Sequence, residues 1–186
     1  GGGGSASDCT AYTALAAGHA LGGEVAPNDG SGQLSAAALR ELIDDGVRLI
    51  SLTHVPTNGG LVNPAAEVGA VARDAGVLYL LDACQSAGQL PLDVNELCCD
   101  LLSITGRKYL RGPRGTGLLY VRRDVLDELS PPMLDLHAAT WTAPDPYIVR
   151  PDARPFEPWA YNVAAKLRPG AAPGHPPPWG LPAAGP

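Results

Sequence analysis

The residues best equipped for chemistry are an amine and a carboxylate. Lys108 lies in Thr105-Gly106-Arg107-Lys108-Tyr109-Leu110-Arg111-Gly112-Pro113-Arg114-Gly115-Thr116-Gly117, and upstream Asp82 closes the apolar run Val77-Leu78-Tyr79-Leu80-Leu81. A lysine ε-amine condenses with an aldehyde to form a Schiff base, and a carboxylate facing a pyridine nitrogen keeps it protonated, which makes the ring an electron sink. Pyridoxal phosphate chemistry requires this pair of groups. An unpaired carboxylate is costly to bury at the end of an apolar strand, so Asp82 needs a cationic or donor partner. The competing reading makes it the N-cap of a short helix beginning at Ala83. Most lysines face solvent, but Lys108 falls between a buried strand and a glycine-rich turn.

The elements that must position these groups are legible in the pattern. Residues 11–21 are alanine-rich and predict a helix, broken by Gly22-Gly23 before a short strand over residues 24–26. Asn28-Asp29-Gly30-Ser31-Gly32 is turn chemistry. Ser35 can cap a helix reaching about Asp44, with Leu39, Leu42 and Ile43 on one face. Residues 47–52 read as a buried strand. Asn63 followed by Pro64 predicts a helix start with a capping side chain, packed through Val68, Val71, Ala72 and Ala75 and stopped by Gly76. Residues 77–81, 100–104 and 118–121 are further strands, and a helix is expected near Asp124. Strands alternating with helices predict an α/β fold, a three-layer α/β/α arrangement with a mostly parallel sheet. Ligands gather at the carboxyl ends of such strands, where Asp82 and residues 105–108 fall.

Composition narrows the function. A chain of 186 residues with formal charge −6 and only thirteen lysines and arginines carries no footprint for nucleic acid. Its one basic stretch, from Arg107 to Arg123, is either a solvated face or a rim that attracts an anionic cofactor or substrate. No run approaches the roughly 20 apolar residues of a membrane span, and no basic segment leads into an apolar signal core, so the expectation is a cytoplasmic protein. Cys9, Cys84, Cys98 and Cys99 have neither disulfide-framework nor zinc-site spacing and read as small buried hydrophobes. The glycines from Gly112 to Gly117 lack the dinucleotide-binding spacing, which disfavours a nicotinamide enzyme. Residues 1–7 form a glycine-rich lead, and residues 169–186, reduced to proline, glycine and alanine, are expected to be disordered.

Thr53-His54-Val55-Pro56-Thr57, Leu81-Asp82-Ala83-Cys84-Gln85-Ser86 and the lysine segment occur in the order seen in class V aminotransferases, and residues 46–129 resemble that family. It includes cysteine desulfurases, isopenicillin-N epimerases and carbon–sulfur lyases. The resemblance implies pyridoxal 5'-phosphate as cofactor, an amino acid as small-molecule substrate and a homodimer for the full-length protein. It implies Lys108 as the Schiff-base lysine and as the acid and base at the substrate α-carbon. That second duty requires an amine that releases its proton near neutral pH, which desolvation and the charges of Arg107 and Arg111 would favour. By the same resemblance Asp82 would face the pyridine nitrogen, Gln85 would donate to the ring oxygen, and Thr105 and Arg107 would hold the phosphate.

The segment from Gly106 to Gly117, with Ala153-Arg154-Pro155-Phe156-Glu157 and Asn162-Val163-Ala164-Ala165-Lys166, resembles the epimerase and carbon–sulfur lyase branch. Desulfurases usually carry serine and histidine where this chain has Thr105 and Arg107. Cysteine desulfuration or true transamination is the alternative, and a catalytically silent remnant the second. Relatives are considerably longer, so the chain is read as a fragment: residues 8–150 as part of a large cofactor-binding domain and residues 151–168 as the start of a connection to a small domain. An upstream phosphate-binding segment is missing, residues 8–10 supply no ring-stacking aromatic or histidine, and none of the four cysteines falls where the desulfurases' mobile-loop cysteine belongs. His54 reads as a structural histidine or as one lining the site. Thr57 stands where many relatives have asparagine. Neither Thr140 with Thr142 nor Arg154 with Glu157 is assigned to the site.

Overall fold

The computed structural model describes residues 22–58, 60–131, 133–142 and 147–157. The chain divides into two compact units, Gly1–Ile104 and Thr105–Pro186. Expectations for residues 1–21 and 158–186, Cys9 and the proline-rich tail among them, lie outside the described residues.

The first unit is α/β. Strands β1 (Leu49–Thr53), β2 (Leu78–Asp82) and β3 (Leu101–Thr105) run parallel, with Thr53 opposite Asp82 and Asp82 opposite Ser103. Parallel neighbours need long crossovers; the one between β1 and β2 contains helix α2 (Ala65–Ala75), which packs on β2 and on helix α1 (Ala36–Leu42). Leu52, Val68, Tyr79 and Leu81 form the fully buried centre. β1 alternates, with Ile50 and Leu52 inward and Leu49 and Ser51 exposed, instead of the continuous burial expected of it.

Two polar contacts tie this core together. The Tyr79 hydroxyl donates to the Ala65 carbonyl at 3.1 Å, and burial pushes its ionisation far above that of a free phenol. The buried Asp100 carboxylate accepts the Tyr79 amide at 2.8 Å, while the Asp100 amide donates to the Tyr79 carbonyl at 3.0 Å.

Ser35 caps α1 as expected, its hydroxyl accepting the Ala38 amide at 3.2 Å. The helix stops at Leu42, short of Asp44, because Ile43 turns extended and the Asp44 carboxylate takes the Gly46 amide at 2.8 Å, a local bond that competes with helix. Gly76 ends α2 with φ 66°, its amide reaching the carbonyls of Ala72 and Arg73. Ala65 joins Val68, Val71 and Ala72 in the buried stripe, whereas Ala75 is exposed.

Three other expectations are corrected. Asn63 does not cap α2: its Nδ2 donates to the Thr53 carbonyl at 2.8 Å and its Oδ1 accepts the Leu34 amide at 3.0 Å, so the side chain joins the end of β1 to the segment before α1. Residues 24–26 form no strand; Val25 is exposed, Pro27 has no amide to donate, and the local pairing is a single Asn28–Leu34 bridge. Near Asp124 a 3-10 helix, Arg123–Glu128, replaces the α-helix, and the chain is already extended at Leu129 ahead of Ser130-Pro131.

That 3-10 helix belongs to the second unit, with β4 (Gly117–Val121) and an unanticipated antiparallel pair, β5 (Ala139–Trp141) and β6 (Tyr147–Val149). β4 lies where a fourth strand is expected, with Leu118 and Leu119 exposed. No helix among the described residues is long and apolar enough to cross a membrane.

The closest packing around α2 is at Gly69, where an added Cβ would stand 2.0 Å from the Leu97 carbonyl oxygen. Because that neighbour is backbone, Gly69→Ala is expected to lower stability by about 1–3 kcal/mol, read as a shifted urea midpoint with unchanged slope; an unshifted midpoint would show that the 93–99 segment yields freely.

Candidate cofactor site

Asp82 and Gln85 are brought together by a turn at the carboxyl end of β2. Asp82 is the last residue of the strand and half-buried; one carboxylate oxygen accepts the Cys84 amide at 2.8 Å, and no cation among the described residues pairs with it. It closes a turn, not the helix N-terminus of the competing sequence reading, and one bond to an amide leaves most of its accepting capacity open. Residues 84–86 form turns, not an α-helix. Gln85 is half-buried, and its carbonyl accepts Nε2 of Gln89 at 2.6 Å.

The turn is anchored from both sides. The His54 amide donates to the Asp82 carbonyl at 3.0 Å, and the Ala83 amide donates to the Ser103 carbonyl at 2.9 Å, each extending strand pairing by one rung. His54 itself is buried and hydrogen-bonded through Nδ1 to the Ser86 hydroxyl at 3.0 Å. Burial lowers its pKa from 6.5 and keeps it neutral. Sequence reasoning left its role open between structure and site; the geometry makes it a structural partner of the Asp82 turn. Thr57 is exposed.

Thr105, Arg107 and Lys108 are brought together in the second unit. Thr105 ends β3, and the chain then closes a tight loop: the Gly106 amide donates to the Thr116 carbonyl at 2.8 Å and the Gly112 amide to the Gly106 carbonyl at 2.6 Å. The glycines leave little room for a side chain. A Cβ at Gly106 would stand 2.3 Å from the Thr116 hydroxyl, which is itself held by the Pro113 carbonyl at 2.7 Å, and a Cβ at Gly112 would be 3.0 Å from the Gly106 carbonyl. Arg111 completes the turn at φ 56°, its amide bonding to the Lys108 carbonyl at 2.9 Å. Lys108 is half-buried on this loop, and among the described residues its amine takes part in no hydrogen bond or ion pair. Arg107 and Arg111 are exposed.

The other candidates sort differently. Cys99 is buried as expected, but Cys84 and Cys98 are only half-buried, and Cys98 sits at φ 52° with its sulfur 3.0 Å from the Arg73 guanidinium. Arg154 pairs with Asp152, which holds the Asp152 carboxyl down at about 2, while Glu157 lies 3.5 Å from His137. The family-like Arg154 and Glu157 therefore have separate partners.

The aminotransferase class-V family model matches residues 6–147. A probable cysteine desulfurase of Methanothermobacter thermautotrophicus is 34% identical over 144 residues, covering 77% of this chain and 36% of that protein. Among solved structures, the apo cysteine desulfurase of Thermococcus onnurineus NA1 superposes with a TM-score of 0.80 and 29% identity over 89% of this chain and 41% of its own. SspA in complex with cysteine does so at 0.61 and 31%, over 67% of this chain and 35% of its own. The chain belongs to the class V aminotransferase family, a family of pyridoxal phosphate enzymes, and spans little more than a third of the length of these relatives.

Two outcomes test the geometry. Gly106→Ala is expected to cost about 1–3 kcal/mol in the second unit, and adding Thr116→Ala to recover part of it; additive losses in thermal unfolding would mean the loop is not closed by this contact. For His54 the folded pKa lies below 6.5, so between the two values the unfolded chain holds the extra proton. Stability is then full above the unfolded value and falls as pH drops below 6.5. A denaturation series from about pH 8 to about pH 5 should show that fall, and His54→Asn should flatten it.

Proposed function

We propose that this chain is the cofactor-binding part of a pyridoxal phosphate enzyme that cleaves the carbon–sulfur bond of a small sulfur-bearing amino acid, with Lys108 as its catalytic residue. The observation that carries the reading is the half-buried Lys108 amine, unengaged among the described residues, on a loop closed by Gly106 and Gly112. A solvated lysine needs no such loop; a nucleophile that must be presented repeatedly in one direction does. Asp82, Gln85, Thr105 and Arg107 supply a carboxylate, an amide, a hydroxyl and a guanidinium, a donor set that suits the cofactor's ring nitrogen, ring oxygen and phosphate.

Bound pyridoxal phosphate supplies an aldehyde for an amine and a ring that withdraws electrons from the substrate α-carbon. In our reading Asp82 holds the proton on the ring nitrogen, Gln85 donates to the ring oxygen, and Thr105 and Arg107 bind the phosphate. Lys108 binds the cofactor covalently and moves the proton at the substrate α-carbon. The substrate class rests on the cysteine desulfurase relatives and on the cysteine bound by SspA. Epimerisation of an amino acid is the second reading, favoured by Thr105-Gly106-Arg107-Lys108 in place of the serine and histidine usual in desulfurases. Homodimerisation and a cytoplasmic location complete the proposal on family grounds.

The chain mixed with pyridoxal phosphate is expected to develop a visible absorbance band that is lost in Lys108→Ala, and borohydride followed by peptide mapping should fix the added mass at Lys108. Asp82→Asn should keep the covalent attachment but weaken affinity roughly tenfold to a hundredfold, the scale of one charge-assisted hydrogen bond. No band in the unsubstituted chain would make it a catalytically silent remnant.

A further inference from the structure

We propose that His54 is a positioning residue: its side-chain hydrogen bond to Ser86 sets the turn over residues 83–86 and thereby the directions in which Asp82 and Gln85 face the cofactor. The inference rests on the function proposed above and adds a residue to it.

The argument starts from Ser86, whose side chain is fully buried and therefore needs a partner. Its hydroxyl has two. The Ala83 carbonyl, at 3.4 Å, is at the long limit of a useful bond, whereas Nδ1 of His54, at 3.0 Å, is within the normal range. His54 is the stronger partner, and it reaches across 32 residues of sequence, while Ala83 belongs to the turn itself.

Ser86 is the hub of that turn. Its amide donates to the Ala83 carbonyl at 3.2 Å, and its own carbonyl accepts the amides of Gln89 and Leu90, both at 2.9 Å. Displacing Ser86 would move Gln85 directly and loosen the Cys84 amide that holds the Asp82 carboxylate. The histidine is itself fixed at three points. Its amide bonds to the Asp82 carbonyl, its carbonyl accepts the Asn63 amide at 2.8 Å, and the Asn63 side chain holds the Thr53 carbonyl just before it. A neutral ring is what this environment selects, since burial disfavours the charged form. A leucine at position 54 would fill the space but leave Ser86 with only its long bond to Ala83.

Four variants of the full chain separate positioning from packing: His54→Leu, His54→Asn, Ser86→Ala and the double His54→Leu with Ser86→Ala. Asparagine carries a polar atom one bond beyond Cγ, as Nδ1 is in histidine, so it can meet Ser86 again. Without cofactor, amide hydrogen exchange over residues 83–90 is expected to quicken roughly tenfold in His54→Leu and in Ser86→Ala relative to β1 and β2, with no further gain in the double variant. His54→Asn should return it towards the unsubstituted rate. Pyridoxal phosphate affinity, titrated by absorbance, should follow the same order with losses of about tenfold.

The inference is overturned if exchange quickens equally in β1 and β2, if asparagine fails to restore the turn, or if the unsubstituted chain and Ser86→Ala bind the cofactor equally well. Should His54→Leu fail to fold, Ser86→Ala alone decides between these outcomes. If the unsubstituted chain takes up no cofactor, the proposed function falls, while the exchange pattern still shows whether His54 positions the turn.

Discussion

The parallel register of β1, β2 and β3 is the constraint on which the first unit depends. With Thr53 opposite Asp82 and Asp82 opposite Ser103, β1 and β2 finish at one level while β3 continues to Thr105, and the backbone leaving β1 and β2 is pinned by further rungs from His54 to Asp82 and from Ala83 to Ser103. A slip of one residue would turn Tyr79 and Leu81 out of the core and aim Asp82 at the opposite face. The buried pairing of Asp100 with Tyr79, made through both backbone and carboxylate, opposes such a slip at the other end of β2.

The candidate site residues lie on loops that are held closed. The turn after β2 is tied down by side chains from distant segments, His54 and, through Thr53, Asn63. The loop after β3 is closed by its own backbone, with Gly106 and Gly112 admitting contacts that a Cβ would crowd. Both devices remove conformational freedom before a ligand arrives, so less of the binding free energy is lost to ordering. In α/β sheets the carboxyl ends of parallel strands are where ligands collect, and the turn after β2 lies at such an end.

Much of the fold was readable along the chain. Ser35 and Gly76 act on neighbours within a few residues, so their capping roles followed from local chemistry. The apolar runs located β1 to β4 within two residues of where they lie. Failures came where a side chain had a choice of partners. Asn63 before Pro64 has the form of a cap, but a buried amide takes the partners that bury it best, and Thr53 and Leu34 are closer to its needs than the helix end. The exposed Leu118 and Leu119 show the related limit, because apolar runs report the tendency to be covered and not what covers them.

By itself the sequence determined the α/β alternation, the turns, and the residue types able to do chemistry at strand ends, since these depend on periodicity and on interactions a few residues long. Tertiary structure decided that His54 serves Ser86, that Asn63 joins two segments, that a Cβ at Gly69 would meet backbone, and that one at Gly106 would meet Thr116. Each of those assignments turns on atoms brought within hydrogen-bond or van der Waals reach across distant parts of the chain, and spacing along a sequence carries no measure of that distance.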